Sequence, residues 1–290
     1  MLTKGGTLVV TECTTPEPGL HEVLIEVQAV ALNPIDVSQQ DRGLPPVPMY
    51  PAVIGCDAAG VVPKVGTHVS TVAPGTRFQK YALAQSEVQG AGRPLGFKTA
   101  PSAWTTLGIP LETRYVLQDE HGSARTLGFT IYATASTKHH AYLRSLGADA
   151  ASDFHDSDVV AQIVTAVGKE GIELRTAHCV VPRGLQPMPE VLKQTKGNAA
   201  ARVAHSPVLL PGHPTLDNTE VKFNLPPLDQ AGRDKHMHQC FHGWLREGLE
   251  SGSVVPSPRV QVEGGGLAGL NAAHNKLKAG VSGVKVVVRI

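Results

Sequence analysis

Long apolar runs are missing from this chain. None approaches the roughly 18 consecutive residues that a membrane-spanning helix requires. The N-terminal MLTKGGTLVV also lacks the extended apolar core of a signal peptide, so a cytoplasmic protein with no membrane partner is expected. Net charge is lacking too. Against 26 Lys and Arg stand 25 Asp and Glu, leaving +1, and no basic field is present to draw in nucleic acid or an anionic lipid surface. Cysteine is scarce: Cys13, Cys56, Cys179 and Cys240 stand too far apart for a disulfide framework or a clustered structural zinc site. Aromatic residues make up only 4%, whereas 30 glycines and 22 prolines punctuate the chain as many short strands and turns do, unlike a helical bundle. With 290 residues there is length for two domains, each with its own core.

The stretch from Val116 to Phe154 organises the reading. GFTIYATAS, Gly128 to Ser136, is a short β-branched and aromatic run of the kind that forms a buried parallel strand. HHAYLRSLGA follows, with Tyr142, Leu143 and Leu146 at helical spacing and Gly147 where a left-handed residue ends a helix. A second strand ends near Phe154. In a strand–helix–strand unit of this kind the loop after the first strand lies at the carboxyl edge of the sheet, where dinucleotides bind. That loop is Ser136, Thr137, Lys138 and His139. It carries no carboxylate to pair with a ribose 2′-hydroxyl, and its hydroxyls and cation suit a 2′-phosphate. An exposed polar loop with no ligand is the other reading of these four residues.

Upstream, a dinucleotide domain opens with a strand, a Gly-rich turn and a helix whose N-terminus receives the pyrophosphate. Here Tyr115-Val116-Leu117 reads as the strand, but only QDEHGSARTL separates it from the next. That is too short for a turn and a full crossover helix, and Asp119 and Glu120 repel phosphate. Elsewhere, Thr7–Glu12 and His21–Asn33 alternate as a strand pair around TPEPG. AVIGCDAAGVV and THVSTVAPGTRF read as further strands, and a short helix is expected near Ser102 to Leu107. DSDVVAQIVTAVG is an amphipathic helix with Val159, Val160, Ile163 and Val167 on one face. IELRTAHCVV is a strand and PMPEVLKQTKG a short helix, while Ala199 to Pro227 reads as loop-rich. VPSPRVQVEGG, GLAGLNAAHNKLKAG and VKVVVRI close the chain as strand, helix and strand. His236, His238, His242 and His274 raise the question of a metal, but no Glu partner stands at metalloprotease spacing, and no metal site is expected.

ATASTKHHAYLRSLGADAASDFHDSDVV, together with ALNPIDVSQQDRG, YPAVIGCDAAGVV and GGGLAGLNAAHNKLKAGVSGVKVVV, resembles the fungal trans-acting enoyl reductases. These are zinc-binding-dehydrogenase-like members of the medium-chain dehydrogenase/reductase superfamily. The resemblance implies an α/β fold: a GroES-like, partly open β-barrel domain from residues 1–100 and 256–290, and an incomplete Rossmann-type nucleotide-binding domain from residues 101–255. It also implies NADP(H) as cofactor, a polyketide synthase or its carrier-bound intermediate as partner, a monomer, and a role in secondary metabolism. The alternative is a relative that has lost the cofactor loop and acts without redox chemistry, as a synthase-binding or cyclisation protein. The superfamily's zinc-dependent members use a Cys/His site that is absent here, and Cys56 in GCDAAG reads as a small buried residue.

By the same resemblance, Asn33, Asp36 and Ser38 are the candidate catalytic residues. Ile35, Asp36, Val37, Ser38, Ser136, Thr137, Lys138, His139, Phe154, Val281 and Ser282 are the candidate cofactor contacts. Several members carry Lys at the position of Ser38, which donates a hydrogen bond but supplies no fixed charge. Phe154 stands where the family often has Tyr, keeping a ring to stack but no hydroxyl. A turn held by Asx-type hydrogen bonds is the other reading of Asn33 and Asp36, and a plain turn before the last strand that of Val281 and Ser282.

Overall fold

The computed structural model describes residues 1–43, 46–81, 99–107, 109, 129–206, 209, 211–225, 227–255 and 258–290. The chain divides into two units, Met1–Gly96 with Ser257–Ile290, and Phe97–Pro256. The first unit begins with β1 (Val23–Ala31), α1 (Pro34–Arg42), β2 (Asp57–Val65) and β3 (Arg77–Tyr81). The second opens with α2 (Thr99–Leu107), β4 (Tyr132–Thr134), α3 (His140–Ser145), β5 (Ala150–Ser152) and α4 (Val159–Lys169). It continues with β6 (Thr176–Cys179), α5 (Met188–Thr195), β7 (Ala201–His205), β8 (Thr219–Phe223), α6 (Gln230–His238) and α7 (Arg246–Ser251). The chain then returns to the first unit with β9 (Arg259–Glu263), α8 (Leu270–Ala279) and β10 (Val284–Arg289).

In the first unit five strands form one sheet in the order β3-β2-β1-β10-β9. The pairs are antiparallel except β10 with β9. VKVVV at the C-terminus is β-branched and apolar, which suits a central strand. Val286 and Val288 of β10 are buried with Leu32 and with Ala273 of α8. Gly60 sits where β1 and β2 slip in register. A Cβ there would stand 1.9 Å from the carbonyl oxygen of Glu26, a close approach that glycine alone permits. The expected strand at Thr7–Glu12 does not form, and Val9 and Val10 are exposed. Instead the side-chain amide of Asn271 takes both main-chain groups of Leu8, accepting from its N–H at 2.9 Å and donating to its carbonyl at 2.7 Å. A side chain thus meets the need that a strand partner would have met.

In the second unit β4 and β5 pair in parallel, and β6, β7 and β8 form a separate parallel sheet. The apolar stripe of α4, Val159, Ile163 and Val167, buries itself with Val191 of α5. Each such burial is worth about 1.5–3 kcal/mol. Cys179, Leu185, Leu192, Ala201 and Val203 make a second core cluster, and Ala103 and Leu107 of α2 close over Ala204 of β7. Trp104 meets Trp244 edge-on at 5.0 Å.

Two expectations are corrected here. Only Tyr132–Thr134 of the GFTIYATAS run is strand, and Phe129 is exposed. Ala199 to Pro227, which reads as loop-rich in the sequence, contains the strands β7 and β8. The expected strand at Tyr115-Val116-Leu117 and the short connection after it lie outside the described residues.

Candidate functional site

In the first unit the candidate residues gather at the start of α1. Pro34 occupies the first helical turn, where its missing N–H costs nothing, and Gly43 ends the helix with φ 65°. Asn33 precedes the helix, and its N–H donates to Asp36 Oδ2 at 2.7 Å, the return half of a capping box. Its side chain is engaged elsewhere. Nδ2 donates to Asp57 Oδ2 at 3.0 Å, and Oδ1 accepts from Lys285 Nζ, which also lies 2.8 Å from Asp57 Oδ2. Asn33, Asp57 and Lys285 therefore close a ring of polar contacts.

Asp36 is fully buried. Burial pushes its carboxyl up from the ordinary 3.8 to about 6, against the Cys56 thiol and the Asn33 N–H, both of which favour the charged form. With no exposure, its Oδ2 acts on the helix start. Ile35, Val37 and Ser38 are half-buried on the same helix. At the other end of the unit's chain, Val281 packs against the Leu32 cluster, and Ser282 is exposed.

Sequence reasoning missed Asp57 and Lys285. The available signal was a lone cation inside the apolar strand VKVVV and a lone carboxylate in GCDAAG, since a charge in a half-buried strand needs a partner.

In the second unit the candidate loop leaves the C-terminal end of β4 as a single 3-10 turn, Thr137–His139. Lys138 is exposed, and Ser136 and His139 are half-buried. His140 is tied down by a 2.8 Å contact from Nε2 to the Ala135 carbonyl.

The loop has no carboxylate of its own, but the fold brings one to it. Asp153 Oδ2, just past β5, accepts from the Thr137 N–H at 2.9 Å and the Thr137 hydroxyl at 2.6 Å. Asp153 Oδ1 accepts from the N–H of His155 at 2.9 Å and from its Nδ1 at 2.8 Å. These bonds, that of the Thr137 hydroxyl first, hold the Asp153 carboxyl well below the usual carboxylate range. Its acceptor positions are occupied, which leaves Lys138 as the exposed charge of the loop itself. Phe154 is 46% exposed, and its ring lies 3.9 Å from that of His155, centroid to centroid.

Other groups resolve into structural roles. His236 is buried and contacts Thr105 Oγ1 at 3.3 Å and Cys240 Sγ at 3.5 Å. His274 is buried, with Nδ1 3.1 Å from Gln40 Oε1. Among the described residues no group of three or more His, Cys, Asp or Glu side chains is placed to hold a metal ion. Burial pushes the Cys179 thiol up to about 11, so it is no nucleophile. A groove of about 540 Å³ runs along α4 and is lined by Tyr132, Asp149, Asp158, Gln162 and Glu170 among others. It includes none of the candidate residues, and its three carboxylates oppose phosphate.

Residues 19–125 match the model of the alcohol dehydrogenase GroES-like domain. The chain is 50% identical to the trans-enoyl reductase tndF of Aspergillus flavipes, an alignment covering 99% of this chain and 96% of that one. It is 51% identical to the trans-enoyl reductase tazE of Aspergillus terreus, covering 80% of this chain and 92% of that one. The alignment with tndF runs over 332 positions, more than the 290 residues here, so the relative carries segments with no counterpart in this chain. Among solved structures, the quinone oxidoreductase of Escherichia coli in complex with NADPH superimposes with a TM-score of 0.67 at 17% identity, covering 100% of this chain and 98% of that one.

Proposed function

This chain belongs to the trans-enoyl reductase family, and from that premise we propose that it reduces the enoyl intermediate of a polyketide synthase with NADPH. The family is one of nucleotide-dependent reductases with a GroES-like and a Rossmann-type domain. The observation that carries the proposal is 50% identity to a trans-enoyl reductase over 99% of the chain. The Lys138 loop supports the choice of NADPH. It presents an exposed cation at the carboxyl edge of β4, and the Asp153 carboxylate that reaches the loop is saturated by Thr137 and His155.

The residues present fit that cofactor, which supplies a hydride when bound. In the second unit Ser136, Lys138 and His139 hold the 2′-phosphate end, Thr137 keeps the loop in shape through Asp153, and Phe154 offers a ring face to the adenosine. In the first unit the start of α1, with Ile35, Val37 and Ser38, and the turn at Val281 and Ser282 contact the nicotinamide half. Ser38 is the catalytic candidate, because its hydroxyl is able to donate a hydrogen bond to the oxygen that gains charge as the enoyl β-carbon accepts hydride, while Asn33, held by Asp57 and Lys285, positions the helix start. Asp36 is the positioning residue beneath them.

The test is NADPH consumption by the purified chain with an enoyl thioester, with the saturated thioester identified by mass spectrometry. Turnover with NADPH is expected. Cofactor binding without turnover on any enoyl thioester, carrier-bound ones included, would overturn the reading.

A further inference from the structure

The Asp153 cluster holds one group that the proposed cofactor site has not used. His155 donates from its N–H and from Nδ1 to Asp153 Oδ1, while Thr137 donates twice to Oδ2. One carboxylate therefore ties the loop after β4 to the first residues after β5, placing the His155 ring beside the Ser136–His139 loop. Asp153, when ionised, only accepts, so Nδ1 of His155 carries a proton. The side chain is 62% exposed, and its tilted contact with the Phe154 ring, at 3.9 Å and 35°, together with the Asp153 bond, orients the ring. Nε2 of His155 makes no hydrogen bond to the described residues and remains able to meet a ligand.

A 2′-phosphate presents three oxygens and is held best by several donors converging from different directions. Lys138 on its own is a flexible point charge. Resting on the NADPH reading above, we propose that His155 is a further 2′-phosphate ligand, acting as the imidazolium: Nδ1 keeps its proton on Asp153 and Nε2 donates the second to the phosphate. Asp153 is the positioning residue that orients both His155 and the Thr137 turn. Asp153 thereby takes a part opposite to that of the carboxylate that grips a ribose 2′-hydroxyl in NAD-dependent sites: its acceptors are spent on the protein, and it serves the phosphate.

The experiment titrates the full chain with NADPH, NADH and 2′,5′-ADP by calorimetry or cofactor fluorescence. The proteins compared are wild type, Lys138→Ala, His155→Phe and Asp153→Asn. His155→Phe keeps a stacking ring and removes both nitrogens. It is expected to weaken NADPH and 2′,5′-ADP about tenfold and to leave NADH unchanged, the NADH value also showing that the fold is intact. Asp153→Asn is expected to weaken NADPH at least as much, through both partners. If wild type does not distinguish NADPH from NADH, the NADPH reading itself fails. If wild type prefers NADPH and Lys138→Ala abolishes that preference while His155→Phe keeps it, the inference about His155 alone is overturned. Equal loss of both cofactors in His155→Phe also overturns it, because the ring would then serve stacking and not the phosphate.

Discussion

Lys285 at the start of β10 lies 2.8 Å from Asp57 at the start of β2. In the sheet both strands flank β1, so the pair spans the end of that strand where the chain turns through Asn33 into α1. Asn33 is bound by both partners, and the ring fixes where the helix begins. Replacing Lys285 by Met removes the ammonium and leaves Asp57 and the Asn33 carbonyl short of a donor. Both charged side chains are partly exposed, at 24% and 20%, so solvent screens part of the loss and a destabilisation of about 1–2 kcal/mol is expected. Urea unfolding measures it. Lys285→Arg should recover part of the loss, and a change below about 0.5 kcal/mol in Lys285→Met would remove the ring from the account of stability.

A second prediction concerns Asp36, whose carboxyl is held at about 6 in the fold against an ordinary 3.8. The raised value means that the folded protein keeps a proton which the unfolded chain has already released. Between about pH 4 and about pH 6 stability therefore falls as pH rises, by roughly 3 kcal/mol in all, and this contribution is constant above and below that window. Asp36→Asn should remove that slope. Denaturant titrations at several pH values would show the difference between variant and wild type changing through the window, and parallel curves would contradict the prediction.

The same chemical change at two glycines should act in opposite directions. Gly60→Ala drives a methyl group to 1.9 Å from the Glu26 carbonyl oxygen. The strands must part, at a cost of more than about 3 kcal/mol. Gly168 lies in α4 with no atom beyond its chain neighbours and the helix's own backbone within 4 Å of its would-be Cβ, so Gly168→Ala should stabilise by roughly 0.5–1 kcal/mol through helix propensity and a less flexible unfolded chain. Thermal unfolding of the two variants beside wild type checks both signs.

These residues also show which parts of the molecule were legible in the sequence. The stripe of α4 and the apolar run of β10 could be read directly, because burial there repeats at the period of the element itself. Gly147 was legible as a left-handed residue, and its φ is 93°. β7 and β8 were hidden because ARVAH and TEVKF are short and mix charge with apolar positions. They become strands only when their parallel neighbours complete the hydrogen bonds. At the candidate site the loop after β4 could be found from its place behind a strand. Its saturated carboxylate could not, since Thr137 and Asp153 stand 16 residues apart and meet only when β4 and β5 pair. The missing strand at Thr7–Glu12 has a similar cause: its hydrogen bonds come from Asn271, 263 residues away from Leu8.

The last prediction concerns the strength of cofactor binding. Dinucleotide-binding domains of the Rossmann type hold the pyrophosphate at a Gly-rich turn and the helix after it, where main-chain N–H groups converge on the anion. Here QDEHGSARTL, with Gly122 as its single glycine, occupies that place in the sequence, and Asp119 and Glu120 add repulsion. Each well-made hydrogen bond to a phosphate contributes roughly 1.5–3 kcal/mol. Losing two weakens binding by about two to four orders of magnitude. On the proposed reading Lys138 and its neighbours act on the 2′-phosphate, a different part of the ligand, so the expected outcome is a preference for NADPH over NADH that stays intact while both cofactors bind weakly. Parallel titrations of this chain and of the tndF enzyme of Aspergillus flavipes separate affinity from preference. A dissociation constant here within about tenfold of that relative's would mean that other donors reach the pyrophosphate, and the short connection would then carry no cost for the cofactor.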